Sequence, residues 1–119
     1  MAIRGQRSSV LIVEGDEIAG RYLLDLVEAQ GHQVECVRDG ASAVLLLDSG
    51  YFVDTVILAW SPSGEDSLFT AKLMRSVLPA AKLVLVGGGL PRQTVVEAQG
   101  IGARVLRTPF LPQELVALL

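Results

Sequence analysis

Asp54-Thr55-Val56-Ile57-Leu58-Ala59-Trp60 is the most continuous β-branched and aliphatic run in the chain. It reads as a strand buried on both faces, the kind found in a parallel sheet covered by helices. In an open parallel sheet the chemistry gathers just beyond the carboxyl ends of the central strands. Here that place is held by Ala59, whose methyl group can neither attack, nor carry a proton, nor bind a metal.

Upstream, Val10-Leu11-Ile12-Val13 is a second buried strand, stopping at Glu14-Gly15-Asp16-Glu17. Asp16 is placed to cap a helix and Glu17 to meet its dipole. Ile18, Tyr22, Leu23, Leu26 and Val27 recur at helical spacing as far as Gln30, and Gly31 supplies a left-handed stop. Gln33-Val34-Glu35-Cys36-Val37 alternates polar and apolar residues, which suits a sheet edge. After the Asp39-Gly40 turn, residues 41–48 are helical in composition, with more apolar surface than one face needs, and Ser49-Gly50 closes them.

Downstream of Trp60, residues 61–67 read as a loop, and Leu68, Leu73, Met74, Val77 and Leu78 mark a helix ended by Pro79. Lys82-Leu83-Val84-Leu85-Val86 is another buried strand, followed by Gly87-Gly88-Gly89 and a helix led by Pro91 to Gln99, with Gly100 as its stop. Arg104-Val105-Leu106-Arg107 carries charge that suits an edge strand, and Pro112 opens a last helix. Five strands alternating with five helices imply right-handed crossovers and helices on both sheet faces. With the first, third and fourth strands central, the expected fold is a flavodoxin-like doubly wound α/β sandwich of order 2-1-3-4-5.

The chain has 119 residues, half of them apolar, enough for one core and too few for two. Residues 1–8 are expected to be a loose lead-in to a single domain over 9–119. A net charge of −3 with the signs interspersed offers no basic stripe, so nucleic-acid binding is not expected. Cys36 is the only cysteine, which excludes an internal disulfide and reads as a small core residue. No apolar run nears ~20 residues and no signal-peptide core is present, so neither membrane spanning nor export is expected and the cytoplasm is the expected compartment.

Residues 9–119 resemble the receiver domains of bacterial response regulators. The lines that carry the resemblance are Val10 to Asp16, the Arg38-Asp39-Gly40 turn, Val56-Ile57-Leu58-Ala59-Trp60, Gly102-Ala103 and Thr108-Pro109-Phe110. In that family an aspartate ending the third strand takes a phosphoryl group from a histidine kinase. Two acids after the first strand help hold Mg²⁺, a Thr or Ser follows the fourth strand, and a Lys follows the fifth. Nucleophile, hard cation and positive group together neutralise the charge of phosphoryl transfer.

Matched position by position, the acceptor is Ala59, the acidic pair is Glu14 and Gly15 with Asp16 beside it, the Thr/Ser is Gly87, and the Lys is Thr108. The aromatic switch residue of many receivers falls on Val105. The resemblance therefore implies a degenerate pocket at Glu14, Gly15, Asp16, Ala59, Gly87 and Thr108, with no catalytic residue and Mg²⁺ binding weak or absent. Asp54 cannot replace the acceptor, lying at the wrong end of the strand, about 17 Å away in an extended chain. Ser61 and Asp66 lie on the correct side, but Ser61 lacks an evident general base and Asp66 reads as a solvated or capping acid.

The reading that follows is an atypical receiver acting as a phosphorylation-independent interaction module. Its working face would run through Val95, Val105, Arg107, Leu115 and Leu118, toward a second copy in a homodimer, a histidine kinase or a fused output domain. The last helix supports this, since Leu115, Val116, Ala117, Leu118 and Leu119 are apolar all round; the alternative is a helix cut short, its continuation covering that surface. A second class of function is a sensor in which Gly88, Arg92 and Arg104 bind an anionic nucleotide, against the plainer reading of edge-protecting charges and a flexible turn. Residual phosphoacceptor activity is the third. His32, in a helix-to-strand turn without a second metal ligand, reads as a surface residue, and Trp60 as packing beside the pocket.

Overall fold

The computed structural model describes residues 8–61 and 67–119. Five parallel strands, β1 (Ser9–Val13), β2 (Gln33–Val37), β3 (Thr55–Ala59), β4 (Lys82–Gly87) and β5 (Ala103–Arg107), pair in the order 2-1-3-4-5. The helices between and after them are α1 (Glu17–Glu28), α2 (Gly40–Asp48), α3 (Ser67–Val77), α4 (Arg92–Gly100) and α5 (Pro112–Val116). The fold is the expected flavodoxin-like one. Residues 1–7 and 62–66 lie outside the described residues, and with them most of the expected lead-in and the loop acid Asp66.

Burial follows strand position. Every residue of β1 is buried, as are the first four of β3 and the last five of β4, whereas β2 and β5 are partly exposed, as edge strands are. Alternation along the strands divides the core in two. Leu11, Val13, Val56, Leu58, Leu83 and Leu85 meet α2, α3 and α4 on one face. Val10, Ile12, Ile57, Val84 and Leu106 meet α1 and α5 on the other.

The local signals work as sequence chemistry requires. The Asp16 carboxylate accepts from the Ala19 N–H at 2.8 Å and caps α1, and Asp39 does the same for α2 through the Ser42 N–H at 2.8 Å. Gly31 and Gly50 follow α1 and α2 with φ of 90° and 96°. At α4 two expectations are corrected. Pro91 stands at the N-cap with extended backbone, one residue before the first turn, and Gly100 is inside the helix. The left-handed turn falls at Gly102, φ 82°, because the helix runs one residue further before Ile101 caps it.

Leu115 requires a larger correction. The sequence reading puts it on an exposed working face, yet it is fully buried on the side of the sheet that α1 and α5 cover, where it packs with Leu23, Val27 and Leu106. Leu118 and Leu119 also pack against that cluster, so the last helix is not apolar on an open face. Val95 and Val105 are half-buried against the opposite cluster, which leaves Arg107 as the exposed member of the expected set. Ile18 and Tyr22 err the other way: α1 buries Gly20, Leu23 and Val27, and the stripe holding Ile18 and Tyr22 faces outward, Ile18 at 83% exposure.

Candidate functional site

The carboxyl ends of β1, β3, β4 and β5 meet at one end of the sheet, and most of the residues expected in the degenerate pocket gather there. Glu14, Ala59, Gly87 and Thr108 line a single cavity of about 420 Å³, together with Tyr22, Leu23, Trp60 and Phe110. Gly15 and Asp16 open instead onto a hollow of about 250 Å³ on the α2/α3 side, which they share with Glu14, Ala59, Arg38, Ser61 and Ser67.

The two surviving acids are engaged locally. Glu14 Oε2 accepts from the Asp16 N–H at 3.0 Å, while the Asp16 carboxylate holds the end of α1. The Ala59 side chain adds no oxygen ligand at the point where β3 ends, and its carbonyl accepts from Ser67 Oγ. Mg²⁺ takes oxygen ligands in near-ideal octahedral geometry, and this donor set does not fit it. Among the described residues no group of three or more His, Cys, Asp and Glu side chains is placed to hold a metal ion.

The β4 end is closed by packing. A methyl group added at Gly87 would stand 2.9 Å from Trp60 Cβ, and one added at Gly88 would stand 2.7 Å from Thr108 Oγ1. The Trp60 N–H donates to the Val86 carbonyl at 2.7 Å and the Thr108 N–H to the Gly87 carbonyl at 3.0 Å, which draws both residues across the strand end. Gly87 and Trp60 thus fit each other, as do Gly88 and Thr108. The Thr108–Pro109 peptide is cis.

The other candidate residues are dispersed. Arg104 shares the Leu106 face of β5, whereas Arg92 is on α4, which covers the opposite face; strand alternation therefore separates them, and the expected convergence on an anion is not formed. Gly88 lines the cavity, but neither arginine does. Ser61 is exposed, and its N–H donates to Ser67 Oγ, which in turn donates to the Ala59 carbonyl. Asp54 accepts from the Ser9 N–H and the Thr55 hydroxyl at the far end of β3, a structural use. His32 Nδ1 accepts from the Ser8 N–H at 2.9 Å. Cys36 is half-buried, and burial first, then Glu14 and Glu35, pushes its thiol up and away from reactive thiolate. The sequence reading misses the aromatic lining formed by Tyr22 and Phe110: it places Tyr22 on the stripe with Leu23 and Val27, and helical spacing alone does not separate them.

No protein-family model and no curated protein sequence matches this chain. Solved structures do match its fold. The signal receiver domain of an HD domain-containing protein from Pseudomonas fluorescens Pf-5 superposes with a TM-score of 0.84 at 25% identity, covering 95% of this chain and 91% of that one. The CheY-like receiver domain protein from Methanospirillum hungatei JF-1 gives 0.84 at 17% identity, over 94% and 90%. The receiver domain of a signal transduction histidine kinase from Syntrophus aciditrophicus gives 0.79 at 24% identity, over 92% and 85%. These neighbours are described as receiver domains, and the fold of this chain is theirs.

Proposed function

We propose that this domain is a non-enzymatic, receiver-like module of a signal-transduction protein, and that it works without accepting a phosphoryl group. The observation that carries the reading is the joint placement of Ala59, Gly87 and Thr108 around one cavity, where phosphoryl transfer needs a carboxylate, a hydroxyl and an ammonium group. Trp60 packed across Gly87 supports it, because a side chain at position 87 has no room while Trp60 stays where it is. Neither a Mg²⁺ role nor catalysis belongs to this reading.

Its partner is a protein: a second copy, a histidine kinase or an output domain on the same chain. Receiver domains of this fold come from proteins described as a histidine kinase, an HD domain-containing protein and a modulated diguanylate cyclase. Among the described residues no helix is long and apolar enough to cross a membrane, which accords with a cytoplasmic setting. The test is incubation with acetyl phosphate and Mg²⁺ followed by intact mass measurement. The unmodified mass is expected, for the parent protein and for Ala59→Asp alike, since a carboxylate at that position restores neither the hydroxyl nor the ammonium group. A phosphoryl adduct on the parent protein overturns the reading.

A small-molecule sensor is the second reading, favoured by the cavity itself: its volume lies within the range of ligand sites. An anionic nucleotide is a poor occupant, because among the described residues Glu14 is the only charged side chain that lines the cavity.

A further inference from the structure

The cavity at the carboxyl ends of β1, β3, β4 and β5 has an unusual composition for this position. Three aromatic side chains, Tyr22, Trp60 and Phe110, approach it from α1, the end of β3 and the segment before α5. Among the described residues Glu14 is its one charged lining residue, and the nearby cation Arg38 opens on the other hollow. Glu14 is also half-buried, and its hydrogen bond to the Asp16 N–H is made through Oε2, which leaves Oε1 for another donor among the described residues. Aromatic faces carry negative potential and attract organic cations, most strongly where water is excluded. A carboxylate beside them adds to that preference and opposes anions.

We infer that this cavity binds a small organic cation, a primary or quaternary ammonium group on an apolar or aromatic body, with the ammonium at Glu14 and the body against Tyr22, Trp60 and Phe110. The inference rests on the reading that the pocket no longer serves phosphoryl transfer, and it deepens that reading by naming what replaces the phosphoryl group. Size agrees: about 420 Å³ admits a ligand of one ring and a short amine arm. Gly87 and Gly88 contribute by having no side chain, which lets Trp60 and Thr108 close over the strand end.

Trp60 is the only tryptophan in the chain, so its fluorescence reports on this cavity without labelling. Three probes with the same aromatic body separate charge from shape: 2-phenylethylammonium, neutral 2-phenylethanol and anionic phenylacetate. Saturable fluorescence titration is expected to rank them in that order, with the ammonium about tenfold tighter than the alcohol. Glu14→Gln keeps an oxygen for the Asp16 N–H and so keeps the fold; it is expected to bring the ammonium down to the affinity of the alcohol. Tyr22→Ala, at an outward-facing position, is expected to weaken all three probes. Phenylacetate binding as tightly as the ammonium, a preference unchanged in Glu14→Gln, or no saturable response to any probe each overturns the inference. None of these outcomes bears on the acetyl phosphate test, so the two readings fail separately.

Discussion

A single missing methyl group decides much of the site. At Gly87 an added Cβ meets Trp60 Cβ at 2.9 Å, an atom that cannot swing away without moving the backbone. At Gly88 the obstacle is Thr108 Oγ1 at 2.7 Å, the tip of a side chain that can rotate. Gly87→Ala is therefore expected to cost about 1–3 kcal/mol by overpacking, and Gly88→Ala distinctly less, in urea unfolding followed by circular dichroism. Adding Trp60→Ala to Gly87→Ala is expected not to recover the loss, because alanine keeps the Cβ that clashes. Equal losses at the two glycines, or full rescue by Trp60→Ala, would contradict this account.

Among the elements, α2 shows how a short polar signal sets a boundary. Asp39 accepts from the Ser42 N–H, and that hydrogen bond, helped by the Ser42 hydroxyl and by Arg38, holds its carboxyl below the usual carboxylate range. A carboxyl with a lowered folded-state pKa contributes stability that is present above its unfolded pKa and disappears as pH falls through the folded one. Acidification below about pH 4 is thus expected to remove the contribution of this cap. Asp39→Asn keeps an oxygen acceptor but cannot titrate, so its urea midpoint should decline less steeply than that of the parent protein as the pH is lowered through the acid range; parallel declines would sink the idea. Signals of this kind, caps, left-handed glycines and strand burial, are local, and for that reason β1 to β5, their order and the starts of α1 and α2 were legible in the sequence. Ala59 was legible from where its strand ends, whereas the grouping of Glu14, Gly87 and Thr108 with it came from the resemblance to receiver domains. What was not legible depends on rotation about a helix axis. Tyr22 lies beside Leu23 in sequence and both line the cavity, yet Tyr22 is 49% exposed at its mouth while Leu23, at 4%, is buried among the sheet side chains. Leu115 sits in an unbroken apolar run, and only the packing of α5 onto the α1 side says which residue of that run is covered. The convergence expected of Arg92 and Arg104 fails for a related reason, because sequence does not show that the sheet stands between them.

At the scale of the whole molecule, one side chain joins segments that sequence keeps far apart. Arg75, in the last turn of α3, donates from Nε to the Ile101 carbonyl at 2.8 Å and from one terminal nitrogen to the carbonyls of Ala81 at 2.7 Å, Pro79 at 3.0 Å and Leu78 at 3.3 Å. It thereby ties the end of α3 and the approach to β4 to the turn between α4 and β5, and its second terminal nitrogen lies 3.4 Å from where a Cβ on Gly102 would be. Only a planar, forked donor can reach carbonyls on both sides at once. Hydrogen bonds from a charged donor are worth about 1.5–3 kcal/mol each, and they are not additive when one group makes them all. Half-burial of the guanidinium discounts the sum further, so Arg75→Met is expected to cost about 2–3 kcal/mol of stability. Arg75→Lys is expected to recover less than half of that, because an ammonium group that reaches Ala81 leaves Ile101 without its donor. The loss should also be local before it is global: amide hydrogen exchange in the Arg75→Met protein is expected to speed up first around residues 100–103 and 78–81, on the two sides of the broken clasp, while β1 and its neighbours keep their protection. Uniform acceleration across the sheet would mean that Arg75 acts on stability in general and does not join these segments.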